Sequence, residues 1–413
     1  MQVGLNKIKN NPNFILFILA IGYMIDFFDL TIFAVVRTPA LKALGVNQND
    51  FIQVSSIMFN AQAIGVVVGG ILSGIWGDKF GRMSAVRAGI LLYSVCIIIN
   101  AFVTTVPMFA FMRFLSAVGL AGEFAASITL MSELLSSKKR ANASGIIYSF
   151  GVIGGMLAVF IGSYFHWQVL FIIGGCAGLI LLLFRVSVAD SIIFQNIKCQ
   201  THIIRGSFKL LILNKNSLIR VIAFLFSIIP FWFMAFFVNF APEIAKSIGI
   251  KNSISQGFSL GVYFIGSLIG SYFFPYISKL TNSRKKSIFC ALLIMFIAIS
   301  LFSLGNIVTI EIYYSILFLI GLASGYCGLL ILFAAESFGT NQRNIATSVI
   351  SNLARCSLII MNAFVPWMSM QFNEKWIGLV ISAGIFMILG TLALLTLNET
   401  NHSSMDYNED NSN

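Results

Sequence analysis

Charge is scarce in these 413 residues, with Asp, Glu, Lys and Arg together making up 10%. A soluble protein carries about 25%, and so few charges could not cover a soluble surface. Histidine is scarcer still, with His166, His202 and His402 scattered along the chain. They form no nucleophile–base or metal-ligand spacing, so no enzyme active site, metal site or cofactor is expected. The cysteines are Cys96, Cys176, Cys199, Cys290, Cys327 and Cys356, without a CxxC pair. All but one lie in apolar runs, where they read as small packing residues and not as a disulfide framework.

What is present is apolar length. Hydrophobic residues make up 58% of the chain, and runs of about 20 residues recur, each long enough to cross a bilayer. The expectation is an all-α integral membrane protein with twelve transmembrane helices. The predicted spans are 14–36, 52–76, 84–104, 107–135, 142–164 and 167–189, then 217–240, 255–277, 287–307, 312–336, 345–368 and 376–397. They divide the chain into a six-helix bundle (1–189), a cytoplasmic linker (190–216), a second bundle (217–397) and a disordered cytoplasmic tail (398–413). The run from Phe14 to Val36 exceeds the core of a signal peptide and reads as a retained span.

The net charge of +11 does not point to nucleic acid, because of where the charges sit. Lys and Arg cluster in short segments such as Lys138-Lys139-Arg140, on the side that also holds the termini. Only Arg37, Lys42, Lys246, Lys251 and Lys375 fall in segments of the opposite side. The positive-inside rule then puts both termini in the cytoplasm.

A shift of 203 residues lays the first two spans of the first half on those of the second. The same shift maps Glu133 onto Glu336 and Arg140 onto Arg343, so each half carries Glu-x6-Arg where its fourth helix ends. Two parallel six-helix repeats around a central cavity are one common transporter plan.

Three motifs then resemble the major facilitator superfamily of secondary transporters. Gly74-Ile-Trp-Gly-Asp78-Lys79-Phe-Gly81-Arg82 fits its G-x-x-x-D-[RK]-x-G-R signature, with Met83 where a further basic residue is usual. Arg113-Phe-Leu-Ser-Ala-Val-Gly119-Leu-Ala121-Gly122-Glu123 is similar to the R-F-L-x-G-x-G-x-G-G-E pattern of metabolite:proton symporters, with Ala117 and Ala121 replacing glycines. Asp26-Phe27-Phe28-Asp29 looks like the D-G-F-D of aromatic-acid:proton symporters. The resemblance implies a secondary active transporter that works by alternating access, moving a small organic anion or related polar metabolite by proton-coupled symport, and a monomer in the bacterial inner membrane is expected. Its partners would be a small-molecule substrate, protons and the lipid bilayer. The alternative is proton-antiport efflux of a drug or siderophore, but the fifth span lacks the Gly-Pro dipeptide of such antiporters.

Charges within spans are costly and usually functional. The candidates for substrate and proton are Asp26, Asp29, Arg113, Glu123 and Arg355. At 1.5 Å per residue, Asp29 and Arg113 each lie about 10 Å below the outer face, a depth that allows an ion pair. Arg355 offers a planar fork suited to a carboxylate or phosphate. Asp26 or Glu123 is expected to carry the proton, because removal from water disfavours a carboxylate's charged form. A second group, Asp78, Arg82, Glu133, Arg140, Glu336 and Arg343, reads as a cytoplasmic gating latch. In it Glu133 is expected to pair with Arg140 and Glu336 with Arg343. By the resemblance, Asp78 would face the start of the eleventh helix near Ala346 to Ser348.

Overall fold

A segment within a bilayer must satisfy its backbone hydrogen bonds internally, which favours helices for runs of this length. Each predicted run contains a helix in the computed structural model, which describes residues 12–47, 50–185, 208–250, 254–303, 309–372 and 375–401. The twelve membrane-length helices are α1 (Pro12–Ala43), α2 (Gln53–Gly77), α3 (Met83–Asn100), α4 (Val106–Leu134), α5 (Lys139–Gly162) and α6 (Trp167–Arg185), followed by α7 (Lys215–Asn239), α8 (Gln256–Leu280), α9 (Arg284–Phe302), α10 (Ile310–Ser337), α11 (Arg343–Met370) and α12 (Trp376–Thr396). The protein is all-α, and large apolar side chains such as Phe160, Leu183 and Ile388 stand exposed where a bilayer would cover them.

The packing repeats between halves. In the first half α1 packs on α5 and α6, α2 on α4, and α3 on α4 and α6. In the second α7 packs on α11 and α12, α8 on α10, and α9 on α10 and α12. The halves meet along two equivalent seams, α2 against α11 and α5 against α8. Close approach at the first seam depends on Gly70, where a Cβ would collide with the Asn352 side chain.

Three helices are interrupted near the middle. The α4 helix breaks after Leu120 and resumes at Glu123, while α10 breaks at Gly325. Gly325 is Gly122 advanced by the same 203 residues, so the repeat extends to the breaks. The α11 helix tightens into a 3₁₀ turn at Ala354–Cys356, which carries Arg355. A break frees a backbone carbonyl that needs a partner. Asn352 Nδ2 supplies one across the seam by donating to Ala121 O at 2.7 Å.

Two boundaries differ from expectation. Most of the expected linker lies outside the described residues, but its last part is already helical, at Phe208–Leu213 and from Lys215 onward. The expected tail starts as fixed chain. Glu399 accepts from the backbone N–H of Arg284 at 3.0 Å and of Lys285 at 3.3 Å. Thr400 Oγ1 donates to Glu336 Oε2 at 3.0 Å. Carboxylate capping of the first turn of α9 is the reason for the order, since that turn has unpaired N–H groups.

Candidate functional site

Between the halves lies a cavity of about 130 Å³, walled by aromatic side chains that include Phe27, Phe59, Trp232 and Tyr263. A smaller cavity of about 30 Å³ contains Asp26 and Asn352 in its walls. Arg355 lines both cavities, with its guanidinium carbon 5.0 Å from the centre of the Trp232 ring. Neither Arg355 Nε nor Trp232 Nε1 has a hydrogen-bond partner, although both atoms are buried. The residues that line the larger cavity thus combine a guanidinium with flat apolar walls, a combination that suits a planar anion.

The predicted charges of the first half do converge, but not in the expected pairs. Asp26 and Asp29 on α1 are buried, as are Arg113 and Glu123 on α4. Arg113 does not bond the Asp29 carboxylate, correcting the pair expected from depth. Its Nη2 donates to Gln62 Oε1 on α2, and its Nη1 reaches the backbone oxygen of Asp29 at 3.4 Å. Neither carboxylate oxygen of Asp29 has a hydrogen-bond partner. Equal depth is set by helix rise, whereas the direction of each side chain is set by how the helices are rotated.

Glu123 forms an ion pair with Arg185, the last residue of α6. Sequence reading passed over Arg185 because a basic residue at the end of a span usually reads as a flanking charge. It is instead fully buried, and its Nη2 approaches Ile18 O at 3.5 Å. Gly22 makes room for the pair, since a Cβ there would overlap both the guanidinium and the carboxylate. Asp26, one turn further along α1, has both Glu123 and Arg185 as electrostatic neighbours.

The end of the bundle that holds the termini is closed by exchanged partners. Arg343 Nη1 lies 2.9 Å from Glu133 Oε1, with both side chains inaccessible. Arg140 Nη1 lies 3.7 Å from Glu336 Oε1. These ion pairs join one half to the other, correcting the expectation of a pair within each half. Arg284, which the sequence did not single out, adds a second guanidinium to Glu336 at 3.1 Å. The side chains of Asp78 and Arg82 lie outside the described residues. About two turns earlier in the same helix, Ser348 Oγ of α11 donates to Gly70 O of α2 at 2.9 Å. At the opposite end, Arg37 and Glu243 join the halves at 2.8 Å.

Residues 19–361 match the sequence model of the Major Facilitator Superfamily. The chain belongs to that superfamily. It is 25% identical to the benzoate transport protein of Acinetobacter baylyi, over 91% of this chain and 87% of that protein. It is 28% identical to the niacin transporter NiaP of the same organism, over 43% of this chain. That alignment spans 40% of NiaP, less than half its length. Among solved structures, the proton:xylose symporter XylE superposes with a TM-score of 0.74 over 95% of this chain and 97% of the other, at 16% identity. At that identity the likeness concerns the fold.

Proposed function

We propose that the protein is a secondary active transporter that carries a small organic anion together with protons by alternating access. The observation that carries this reading is Arg355, which lines both cavities between the halves, one of them shared with the buried carboxylate Asp26. A substrate carboxylate would bind the guanidinium fork, and the aromatic walls would hold a flat apolar body. The relatives named for benzoate and niacin favour an aromatic acid. Proton binding at Asp26 or Glu123 would relieve repulsion of the arriving anion and so couple the two. Asp29 and Arg113 lie behind the cavity walls in this reading, with Arg113 holding Gln62, which lines the larger cavity.

The exchanged pairs Glu133–Arg343 and Arg140–Glu336 act in this reading as the latch that must break for the cavity to open at the termini end. Asp78 and Arg82 belong to the same latch. The protein would act as a monomer in the bacterial inner membrane with both termini in the cytoplasm. Efflux of a drug or siderophore by antiport has no observation in its favour.

The test uses purified protein in liposomes with a trapped pH dye. Addition of benzoate or nicotinate outside should acidify the interior faster than in protein-free liposomes, and Arg355→Ala should remove that excess. Interior alkalinisation on addition of either acid would overturn symport.

A further inference from the structure

The wall that α2 gives to the larger cavity consists of Phe59, Gln62, Ala63 and Val66, so Gln62 supplies its polar group. Behind Gln62 stands the buried Arg113 of α4. The Arg113 guanidinium is held from α1, with Nη1 at 3.4 Å from Asp29 O and the guanidinium carbon 5.8 Å from the centre of the Phe33 ring. Its Nη2 donates to Gln62 Oε1. Arginine has donors and no acceptor, so only the oxygen of the amide can face it. The amide is therefore fixed end for end. Its nitrogen has no hydrogen-bond partner among the described residues and is not sealed off by its neighbours.

The other uncharged polar groups of this cavity are less selective. Thr31 Oγ1 spends its hydrogen on Phe27 O at 2.7 Å and is left to accept. Asn239 can present either end of its amide. Gln62 can only donate. Its distance from Arg355 along the bundle follows from the antiparallel seam of α2 and α11. Asn362 Nδ2 donates to Asn60 Oδ1 at 3.1 Å, while Ser348 meets Gly70 nearer the termini. Arg355 lies seven residues from Asn362, and Gln62 two residues from Asn60 in the same direction. At 1.5 Å per residue the two cavity groups are offset by about 7 Å along the axis. One aromatic ring with a polar group at each end bridges such an interval.

We infer that Gln62 is a specificity-determining residue, whose amide nitrogen donates to a second acceptor on the ring of an aromatic monocarboxylate held by Arg355. The substrate class is thereby narrowed to aromatic acids with a ring nitrogen or oxygen acceptor away from the carboxylate. An acid without that acceptor leaves the N–H groups unpaired, which a site built to donate discriminates against. Arg113 is a positioning residue, because it acts through the orientation of the Gln62 amide. This rests on Arg355 as the carboxylate site of the proposed function and adds a second point of recognition.

The experiment compares acids that differ by one ring CH replaced with nitrogen. Benzoate, nicotinate, isonicotinate and picolinate compete against counterflow of radiolabelled nicotinate in liposomes. At least one of nicotinate and isonicotinate should compete at a concentration about threefold to tenfold lower than benzoate. Gln62→Met should erase that advantage and leave the ratio of picolinate to benzoate in place, since the picolinate nitrogen sits beside the carboxylate. Gln62→Glu has an oxygen for Arg113 but no N–H, and it should erase the advantage too. Arg113→Lys still only donates and should keep the advantage, whereas Arg113→Gln lets the amide turn and should reduce it. Wild-type protein that binds benzoate as well as both isomers overturns the inference, whether or not any variant folds. An advantage that survives in either Gln62 variant, or a loss shared equally by picolinate, overturns it as well. An unmoved ratio in Arg113→Gln removes the positioning role. Absence of benzoate and nicotinate counterflow in wild-type protein would instead defeat the transport reading itself, and the inference with it.

Discussion

Glu133 and Arg343 stand 210 residues apart in the chain, yet their side chains meet at 2.9 Å between the two halves. The repeat maps this pair onto Glu336 and Arg140, which meet at 3.7 Å. The two ion pairs are therefore one contact made twice, as a two-fold relation between the halves requires. Exchange of partners makes the charges sense the separation of the halves, which a pair within one half would not do.

Glu133→Gln should weaken closure at the termini end, since breaking one side of a buried pair costs about 3–5 kcal/mol. A cysteine at Ser348, buried in the α2–α11 seam, should then react faster with a membrane-permeant maleimide. Charge exchange, Glu133→Arg with Arg343→Glu, should return the labelling rate toward the wild-type value. An unchanged rate in the single variant would mean that the pair does not hold the seam shut.

Arg355→Lys keeps the charge and loses the planar fork. Benzoate binding, followed by quenching of tryptophan fluorescence, should weaken by about tenfold or more, equivalent to about 1.4 kcal/mol. Trp232→Phe keeps the ring but removes an N–H that is buried without a partner. Loss of one neutral donor should weaken binding by roughly threefold to tenfold. Tighter binding in that variant would show that the indole N–H does not face the ligand.

Asn352→Ala deletes the donor that serves the carbonyl exposed by the break in α4. An unpaired buried carbonyl costs about 1–3 kcal/mol, and thermal unfolding in detergent should report a loss of that size. Asn352→Leu should not rescue it, because a side chain of similar size without an N–H cannot donate.

Glu399 is partly buried, which by itself would raise its pKa. The Ser283 hydroxyl and the backbone N–H groups of Arg284, Asn401 and Lys285 outweigh burial and hold the carboxyl below the usual glutamate range. A depressed value in the folded state stabilises above the unfolded value of about 4.3, and that contribution disappears as pH falls through the folded value. Glu399→Gln should therefore destabilise at pH 7, by about 1 kcal/mol for a carboxylate at a helix start. The difference from wild type should shrink as the sample is acidified below about pH 4. A gap that persists unchanged in acid would assign the effect to packing and not to charge.

The parts of the site legible in the sequence were those that depend on position along one helix. Asp26 and Asp29 read as intramembrane charges because no other charged residue lies between Pro12 and Val36 in α1. Arg355 stood out in the same way in α11. Arg185 did not, because a cation at the end of an apolar run reads as an interfacial anchor, and only burial against Ile18, Gly22 and Glu123 reveals otherwise. Arg284 and Glu399 were hidden for a similar reason, since both lie in segments that look solvated when read alone.

The sequence by itself determined the class, the spans and the repeat. Apolar length decides what can enter a bilayer, and backbone hydrogen bonding then leaves a run of that length only the helix. The shift that maps Glu133 onto Glu336 also follows from the sequence. Only the tertiary structure decided the partners: Arg343 for Glu133, Arg185 for Glu123, and Gln62 in place of the Asp29 carboxylate for Arg113. Rise per residue fixes a side chain's depth, but its facing direction depends on helix rotation and on how the halves dock. That information resides in contacts between segments far apart in the chain.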